Sequence, residues 1–174
     1  MNREQSRGFG LFEILIFIIV VMVVIAIPNF IQYGQRAKTS EALMNVSRMA
    51  TNARLYYMSS SVDKLRRFPS SVGPTPERFA CRGVAPIRHD PEDFQGVTHF
   101  GHESWRGLNF NLSKPFRYRY TFLTQGEGAS AIFTARAEGD LDCDGESSLF
   151  ERAGYIDSNG EVVITKLFRQ SDIE

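Results

Sequence analysis

The chain has 174 residues, of which 43% are hydrophobic, and its 20 basic and 20 acidic residues give a formal net charge of zero. This length is sufficient for one domain together with an anchor or a tail. A balanced charge excludes a strong overall positive field, so the composition does not favour nucleic acid as the main partner.

The N-terminal stretch is apolar, and Glu13 is the only ionisable side chain between Phe9 and Ile27. A helix of about 17 to 25 apolar residues spans a bilayer. A charge at that depth costs at least about 2.5 kcal/mol, so we interpret Glu13 as functional. Arg3 and Arg7 precede the run, and no A-x-A-like cleavage site follows it. We therefore predict a retained anchor, with the rest of the chain outside the cytoplasm.

The helix is predicted to continue beyond Pro28, because residues 29–58 are rich in good helix formers. Pro28 should kink the helix, and the serines at 59–61 should end it. Apolar residues recur at steps of three and four in the second half, which indicates one buried face. This face comprises Ala42, Leu43, Val46, Met49, Ala50, Ala53, Tyr56 and Tyr57.

Residues 62–113 are predicted to form a long loop region, because turn signals such as Phe68-Pro69 and Gly73-Pro74 interrupt them. The side chains expected to pack this region are Phe79, Phe94, Trp105, Leu108 and Phe110. Cys81 also lies here, and in an oxidising compartment a disulfide with Cys143 is expected. That bond would close a loop of about sixty residues and contribute about 4 kcal/mol. A metal site is the alternative, but the cysteines lack C-x-x-C spacing.

Beyond Pro115 the period of the hydrophobic pattern changes to two, as expected for strands. Four strands are predicted, at 116–122, 130–137, 148–154 and 161–168, and Asn159-Gly160 is a strong hairpin signal between the last two. Their apolar face requires a cover, which the amphipathic half of the helix can provide. The predicted fold is therefore α+β: a long N-terminal helix with a protruding apolar half and an amphipathic half packed on a four-stranded antiparallel sheet.

An acidic loop between two predicted strands reads D-x-D-x-D-G, a spacing that can bring carboxylates to one Ca²⁺ ion. The candidate ligands are Asp140, Asp142, Asp144, Glu146 and, at the twelfth position, Glu151. The flanks are predicted strands rather than helices, so a solvated acidic turn is the alternative. We found no nucleophile–base–acid set and no glycine-rich phosphate loop, so no enzyme is predicted and no cofactor other than possible Ca²⁺.

The sequence around the apolar run resembles the type IV pilins and pilin-like subunits. The features that carry the resemblance are Gly8-Phe9, Glu13 five residues into the mature chain, IPNFIQY, and a helix ending in Tyr56-Tyr57. The stretch FTARAEGDLD is similar to pilins of deltaproteobacterial type.

The resemblance implies that a prepilin peptidase of the inner membrane cuts between Gly8 and Phe9 and methylates the new amine of Phe9. It implies a leader at 1–8, a membrane-spanning and filament-core half of the helix at 9–34, and a globular head at 35–174, periplasmic before assembly. Subunits would then form an extracellular filament with copies of themselves or with other pilins. In that filament Glu13 would pair with the Phe9 amine of a neighbour, and Pro28 would lie in the assembling helix.

Two alternative functions share these N-terminal features. The first is a pseudopilin of a type II secretion apparatus, although the tryptophan-glycine signature usual after the helix is not evident. The second is a minor pilin with a role in DNA uptake or adhesion. The candidate cations for DNA binding are Lys64, Arg66, Arg67, Arg117 and Arg119. Alternating arginine and tyrosine is more typical of a solvated strand face, so specific nucleic-acid binding is not expected.

Overall fold

The computed structural model describes residues 10–59, 66–77, 79, 100–112, 116–141 and 144–171, without the side chains of 26–37. The chain divides into two compact units, Met1–Ala37 and Lys38–Glu174. Helix α1, Leu11–Ser59, has residues in both units and remains helical through Pro28. The other elements are β1 Val72–Thr75, α2 Glu103–Gly107, β2 Arg119–Gln125, β3 Ile132–Gly139, β4 Ser148–Ile156, β5 Val162–Ile164 and β6 Phe168–Gln170.

In the first unit, the stretch of α1 from Leu11 to Ile25 is apolar on every side of the helix except at Glu13. Its large hydrophobic side chains from Leu11 to Ile25 are each 40–88% exposed. A helix that is hydrophobic all round normally requires a surrounding of protein or lipid. Among the residues that the structure describes, we found no helix that combines the length and the hydropathy needed to cross a membrane.

In the second unit, one face of α1 packs on the sheet. The predicted stripe is confirmed, because six of its eight members are buried and the other two, Leu43 and Tyr56, are half-buried. The six buried members are Ala42, Val46, Met49, Ala50, Ala53 and Tyr57. Three of the six are alanines, whose small side chains let the helix backbone approach the aromatic surface of the sheet. Burial of this face stabilises the contact of the helix with the rest of the unit.

The sheet is antiparallel, with strand order β1-β2-β3-β4-β5, and β6 also pairs with β4. The alternation predicted before and within β2 is confirmed, because Phe116, Tyr118, Tyr120 and Phe122 are all buried. Helix and antiparallel sheet together confirm the predicted α+β class.

The predicted number of four strands is wrong, because the described residues alone form a sheet of six strands. Strand β1 lies in the region predicted as loop, and it contains the turn signal Gly73-Pro74. Proline lacks an N–H donor, but it is tolerated at a sheet edge, which is where β1 lies. Gly73 has φ +104°, and a Cβ there would lie 2.5 Å from the carbonyl oxygen of Tyr120. The glycine therefore permits a close approach of backbones that a turn signal alone does not reveal.

The last predicted strand, 161–168, is divided into β5 and β6. Ile164 pairs with Gly154 and Phe168 pairs with Glu151, so four steps along this edge oppose three steps along β4. One extra residue in one strand of a pair is a β-bulge. Residues 165–167 form this bulge, and the backbone N–H of Thr165 still donates to the carbonyl of Ala153 at 2.9 Å.

The segment 100–112 contributes an aromatic cluster to the core. The predicted packing of Trp105, Leu108 and Phe110 is confirmed, because all three are at most 1% exposed. Phe100 makes edge contacts with the rings of Trp105 and Phe110, with centroids 5.4 and 5.2 Å apart. The indole N–H of Trp105 donates to Oγ1 of Thr75 in β1 at 3.1 Å. Of the other two predicted packing residues, Phe79 lies over Arg119, and Phe94 lies outside the described residues.

Candidate functional site

Glu13 lies in the first turn of α1, where its carboxylate folds back onto the helix end. Its Oε2 accepts the backbone N–H of Gly10 at 3.1 Å, and the carbonyl of Gly10 accepts the N–H groups of Glu13 and Ile14. This is one half of a capping box, in which an acidic side chain satisfies a free donor near the positive end of the helix dipole. In the single chain the Glu13 carboxylate is therefore hydrogen-bonded to the backbone of Gly10, and this bond is exposed to solvent.

The other predicted assembly residues are less fully described. Gly8 and Phe9 lie outside the described residues, so processing and methylation stay predictions. Pro28 lies within α1, but its side chain is not described.

A polar cluster that we did not predict joins α1 to the start of β2. Oε1 of Glu41 accepts the backbone N–H of Arg117 at 3.0 Å and the hydroxyl of Tyr120 at 3.1 Å. The amide of Asn45 donates to the same hydroxyl at 2.7 Å. Glu41 and Asn45 are four residues apart and flank the apolar stripe, a spacing that indicates one helix face. Their partners depend on how the helix docks on the sheet, which the sequence pattern does not reveal.

The cluster has perturbed electrostatics because it lies within the helix–sheet contact. Burial raises the pKa of Glu41, and hydrogen bonds from Arg117, Tyr120 and Tyr118 partly oppose this rise. Burial and the neighbouring Glu41 carboxylate hold the pKa of Tyr120 well above its ordinary value. Tyr120 therefore stays a phenol and donates to the carboxylate, which fixes the helix against the strand.

We expect Tyr120→Phe to lower the free energy of unfolding by about 1–3 kcal/mol, because Asn45 and Glu41 both lose a buried partner. Tyr118→Phe is the matched control. Tyr118 is equally buried, but its hydroxyl has no hydrogen-bond partner within the described part of the chain. Burial raises the pKa of Tyr118, so this hydroxyl also stays protonated. Thermal melting of both variants is followed by circular dichroism. Equal losses in the free energy of unfolding would contradict the stabilising role of the Tyr120 hydrogen bonds.

We also expect a pH dependence from Glu41. Its folded pKa lies above the ordinary value of 4.5, so its contribution to stability is complete below about pH 4.5. This contribution is lost as the pH rises through the folded pKa. The melting temperature of the parent should therefore fall relative to that of Glu41→Gln as the pH rises from about 4.5 towards neutrality. Glu161→Gln removes one exposed carboxylate and controls for the loss of a charge. If the melting temperatures of the parent and of Glu41→Gln change with pH in parallel, Glu41 is not the source of the pH dependence.

The predicted calcium ligands are only partly described, since Asp142 lies outside the described residues. Asp140 is buried, and Oδ1 of Asp144 accepts the backbone N–H of Glu146 at 2.8 Å. The carboxylate of Glu151 lies in β4 and is bound by Arg136. Across the described ranges, no three His, Cys, Asp or Glu side chains are grouped as metal ligands. Calcium binding by this loop stays a prediction.

The predicted disulfide is not described either, because Cys81 and Cys143 both lie outside the described residues. It too stays a prediction.

Arginines on the outer face of the sheet are compensated by acids. Nη2 of Arg119 lies 2.6 Å from Oε2 of Glu138, and Nη1 of Arg136 lies 3.4 Å from Oε1 of the same residue. Arg136 also pairs with Glu151, so the charges alternate across three strands. A surface on which cations and carboxylates alternate is poorly suited to a phosphate backbone.

Comparison with known proteins supports the resemblance seen in the sequence. The chain is 30% identical over 138 residues to the type IV major pilin protein PilA of Myxococcus xanthus (strain DK1622). The alignment covers 71% of this chain and 62% of that protein's length. No protein-family profile matches the chain, and no solved structure matches it. The shared sequence, together with the α+β fold, supports the assignment of the chain to the type IV pilins.

Proposed function

We propose that the chain is a structural, non-enzymatic subunit of a type IV pilus-like filament, and that its subunits join through the N-terminal helix. The main support is the described part of the first unit, whose apolar side chains are exposed from Leu11 to Ile25. Such a surface is costly in water and is covered when helices from several subunits pack together. The similar Myxococcus protein is named as a major pilin, which agrees with this role.

Glu13 would fix the position of each N-terminal helix along the helices of neighbouring subunits in the filament. A buried carboxylate is costly unless it is paired, and in this family its partner is the N-terminal amine of a neighbour. Cleavage between Gly8 and Phe9 would create that amine, and the prepilin peptidase would methylate it. On joining the filament, Glu13 would exchange its exposed bond to the N–H of Gly10 for a charged partner in an apolar surrounding. The inner membrane would hold the subunit before assembly, with its head in the periplasm.

The experiment is a comparison of Glu13→Ala and Glu13→Gln in the native host, scored by filaments on the cell surface. Both variants should be cleaved normally, and both should lose surface filaments by at least about tenfold, because neither supplies a negative charge. Glu161→Ala, which removes an exposed carboxylate from the head, should assemble as the parent does.

The glutamine variant separates two roles of Glu13. Glutamine keeps an oxygen that can accept the N–H of Gly10, so restored filaments would show that capping of the helix is its function rather than charge pairing. Abundant filaments from Glu13→Ala would overturn both roles. Immunogold labelling of the parent distinguishes the pseudopilin alternative, for which subunits would be confined to the periplasm rather than found in long surface fibres.

A further inference from the structure

Four uncharged side chains form a row across the outer face of the sheet, and we call them the apolar row. They are Leu123 in β2, Ile132 in β3, Tyr155 in β4 and Val163 in β5. Ile132 pairs with Tyr155, and Tyr155 pairs with Val163, so these three lie side by side across three strands. Leu123 pairs with Thr134, two residues from Ile132, which makes Leu123 a diagonal neighbour of Ile132 on the same face.

The apolar row points away from the core, because successive residues of a strand alternate between the two faces of a sheet. The strand neighbours Phe122 and Phe133 are at most 1% exposed and belong to the core. By contrast, Leu123, Ile132 and Tyr155 are 42–46% exposed. Apolar side chains that are exposed in one contiguous patch, rather than scattered singly, indicate a docking surface.

The charges on this face limit what can dock there. The charged residues lie towards the other end of the strands and pair with one another: Arg119 with Glu138, and Arg136 with both Glu138 and Glu151. On the described part of this face, an acidic or basic partner would therefore have to compete with existing ion pairs. A flat and uncharged apolar surface matches the row better, and the same row on a second sheet is such a surface.

We propose that the outer face of the sheet docks a second copy of this chain, with the apolar row of one copy lying along that of the other. A two-fold axis along the row produces this arrangement. Each residue of the row then lies against its counterpart, and the charged ends of the two faces point in opposite directions. The same patch serves both copies, so the contact is isologous.

A single contact of this kind is weak. Three side chains that are each less than half exposed cannot supply the roughly 800 Å² per partner that stable complexes bury. The contact becomes effective where many copies are held in an array, because each further pair then forms at a high effective concentration. A filament is such an array, so this step rests on the proposed function. An isologous contact closes on two copies and cannot lengthen a filament, so the two copies belong to different filaments.

Photo-crosslinking of the full chain in whole cells tests the docking face. Tyr155 is replaced by p-benzoylphenylalanine, a photoreactive residue, and the covalent dimer is isolated on a denaturing gel and digested for mass spectrometry. We expect position 155 to be joined to a peptide from β3 or β4 of the second copy. The same replacement of Arg106, an exposed residue of α2, should give no dimer joined to these peptides.

Two charge variants, Ile132→Lys and Ile132→Glu, test the two-fold symmetry. Position 132 would lie against itself, so like charges meet within each variant and opposite charges meet in a mixture of the two. Sheared filaments are sedimented at low speed, which collects associated filaments and leaves single ones in solution. Each variant alone should lose sedimented filaments by at least about tenfold, and the mixture should recover most of the loss. Thr121→Lys, on the same face but outside the row, should sediment as the parent does.

The docking proposal is overturned if position 155 gives no covalent dimer, or if it is joined to another part of the chain or to another protein. It is also overturned if parent filaments stay single, or if the mixed variants sediment no better than each variant alone. Surface filaments are counted by electron microscopy in every strain. Normal counts without association overturn docking alone, whereas a parent without filaments overturns the assembly proposal, and the cross-links in whole cells still decide whether the faces dock.

Discussion

Trp105→Ala is expected to lower the free energy of unfolding of the second unit by about 3–5 kcal/mol, the range for large aromatic side chains in a core. Trp105 is fully buried and contacts the rings of Phe100 and Phe110. Its removal deletes this packing, leaves a cavity and breaks the hydrogen bond to Thr75. Total stabilities of small domains are about 5–15 kcal/mol, so the variant should be near the limit of folding.

The measurement is thermal or urea unfolding followed by circular dichroism, because Trp105 is the only tryptophan of the chain and fluorescence would lose its probe. Arg106→Ala is the matched control, since Arg106 is the next residue of the same short helix and is exposed. It should change stability by less than about 0.5 kcal/mol. Trp105→Phe keeps a ring but not the N–H donor and should fall between the two. Equal stability of Trp105→Ala and the parent would show that α2 is not part of the core.

The second large effect is expected from Gly154→Ala in β4. Gly154 pairs directly with Phe133 of β3, and a Cβ added to it would lie 2.2 Å from Cε1 of that ring. The ring of Phe133 is confined by Phe68 at 4.8 Å and by Phe122 at 5.5 Å, so it has little room to move. We expect a loss of about 2–3 kcal/mol from overpacking, although glycine-to-alanine changes within strands usually stabilise.

A double-mutant cycle identifies the cause. Phe133→Leu alone should destabilise the unit, because it removes ring contacts, but in the Gly154→Ala background it should cost less or even stabilise. The interaction energy should be about 1–2 kcal/mol in favour of the double variant. Ala153→Ser, the neighbouring change on the outer face, is the control and should have a small effect. If the losses in the free energy of unfolding of the two single variants simply add, the strain in Gly154→Ala does not arise at the ring of Phe133.

The sequence was most informative where a single periodicity governs burial. The stripe from Ala42 to Tyr57 and the alternation from Phe116 to Phe122 each follow the geometry of one element, so both faces were predicted correctly. The predicted packing of Trp105 and Phe110 is also confirmed, because large aromatic residues in a region rich in turns have few other places to be buried.

The sequence was least informative where two distant segments meet. Strand β1 was missed because Gly73 and Pro74 are turn residues, and only pairing with β2 makes them a strand. The cluster of Glu41, Asn45 and Tyr120 was missed for the same reason, since its hydrogen bonds cross about 75 residues of chain. Local sequence patterns do not predict such contacts, because these depend on how the helix is positioned on the sheet.

The outer strands of the described sheet, β1 on one side and β5 with β6 on the other, affect how copies of the second unit behave when they are crowded together. One edge contains Pro74, which cannot donate a hydrogen bond, and the other is interrupted at residues 165–167, where Lys166 is exposed. An uninterrupted edge would recruit the backbone of any neighbour and could fuse copies of this unit into aggregates. Among the described strands neither edge offers a regular ladder, so copies of the second unit that lie side by side are not expected to exchange strands through these edges. Contacts between such copies would then be made by side chains.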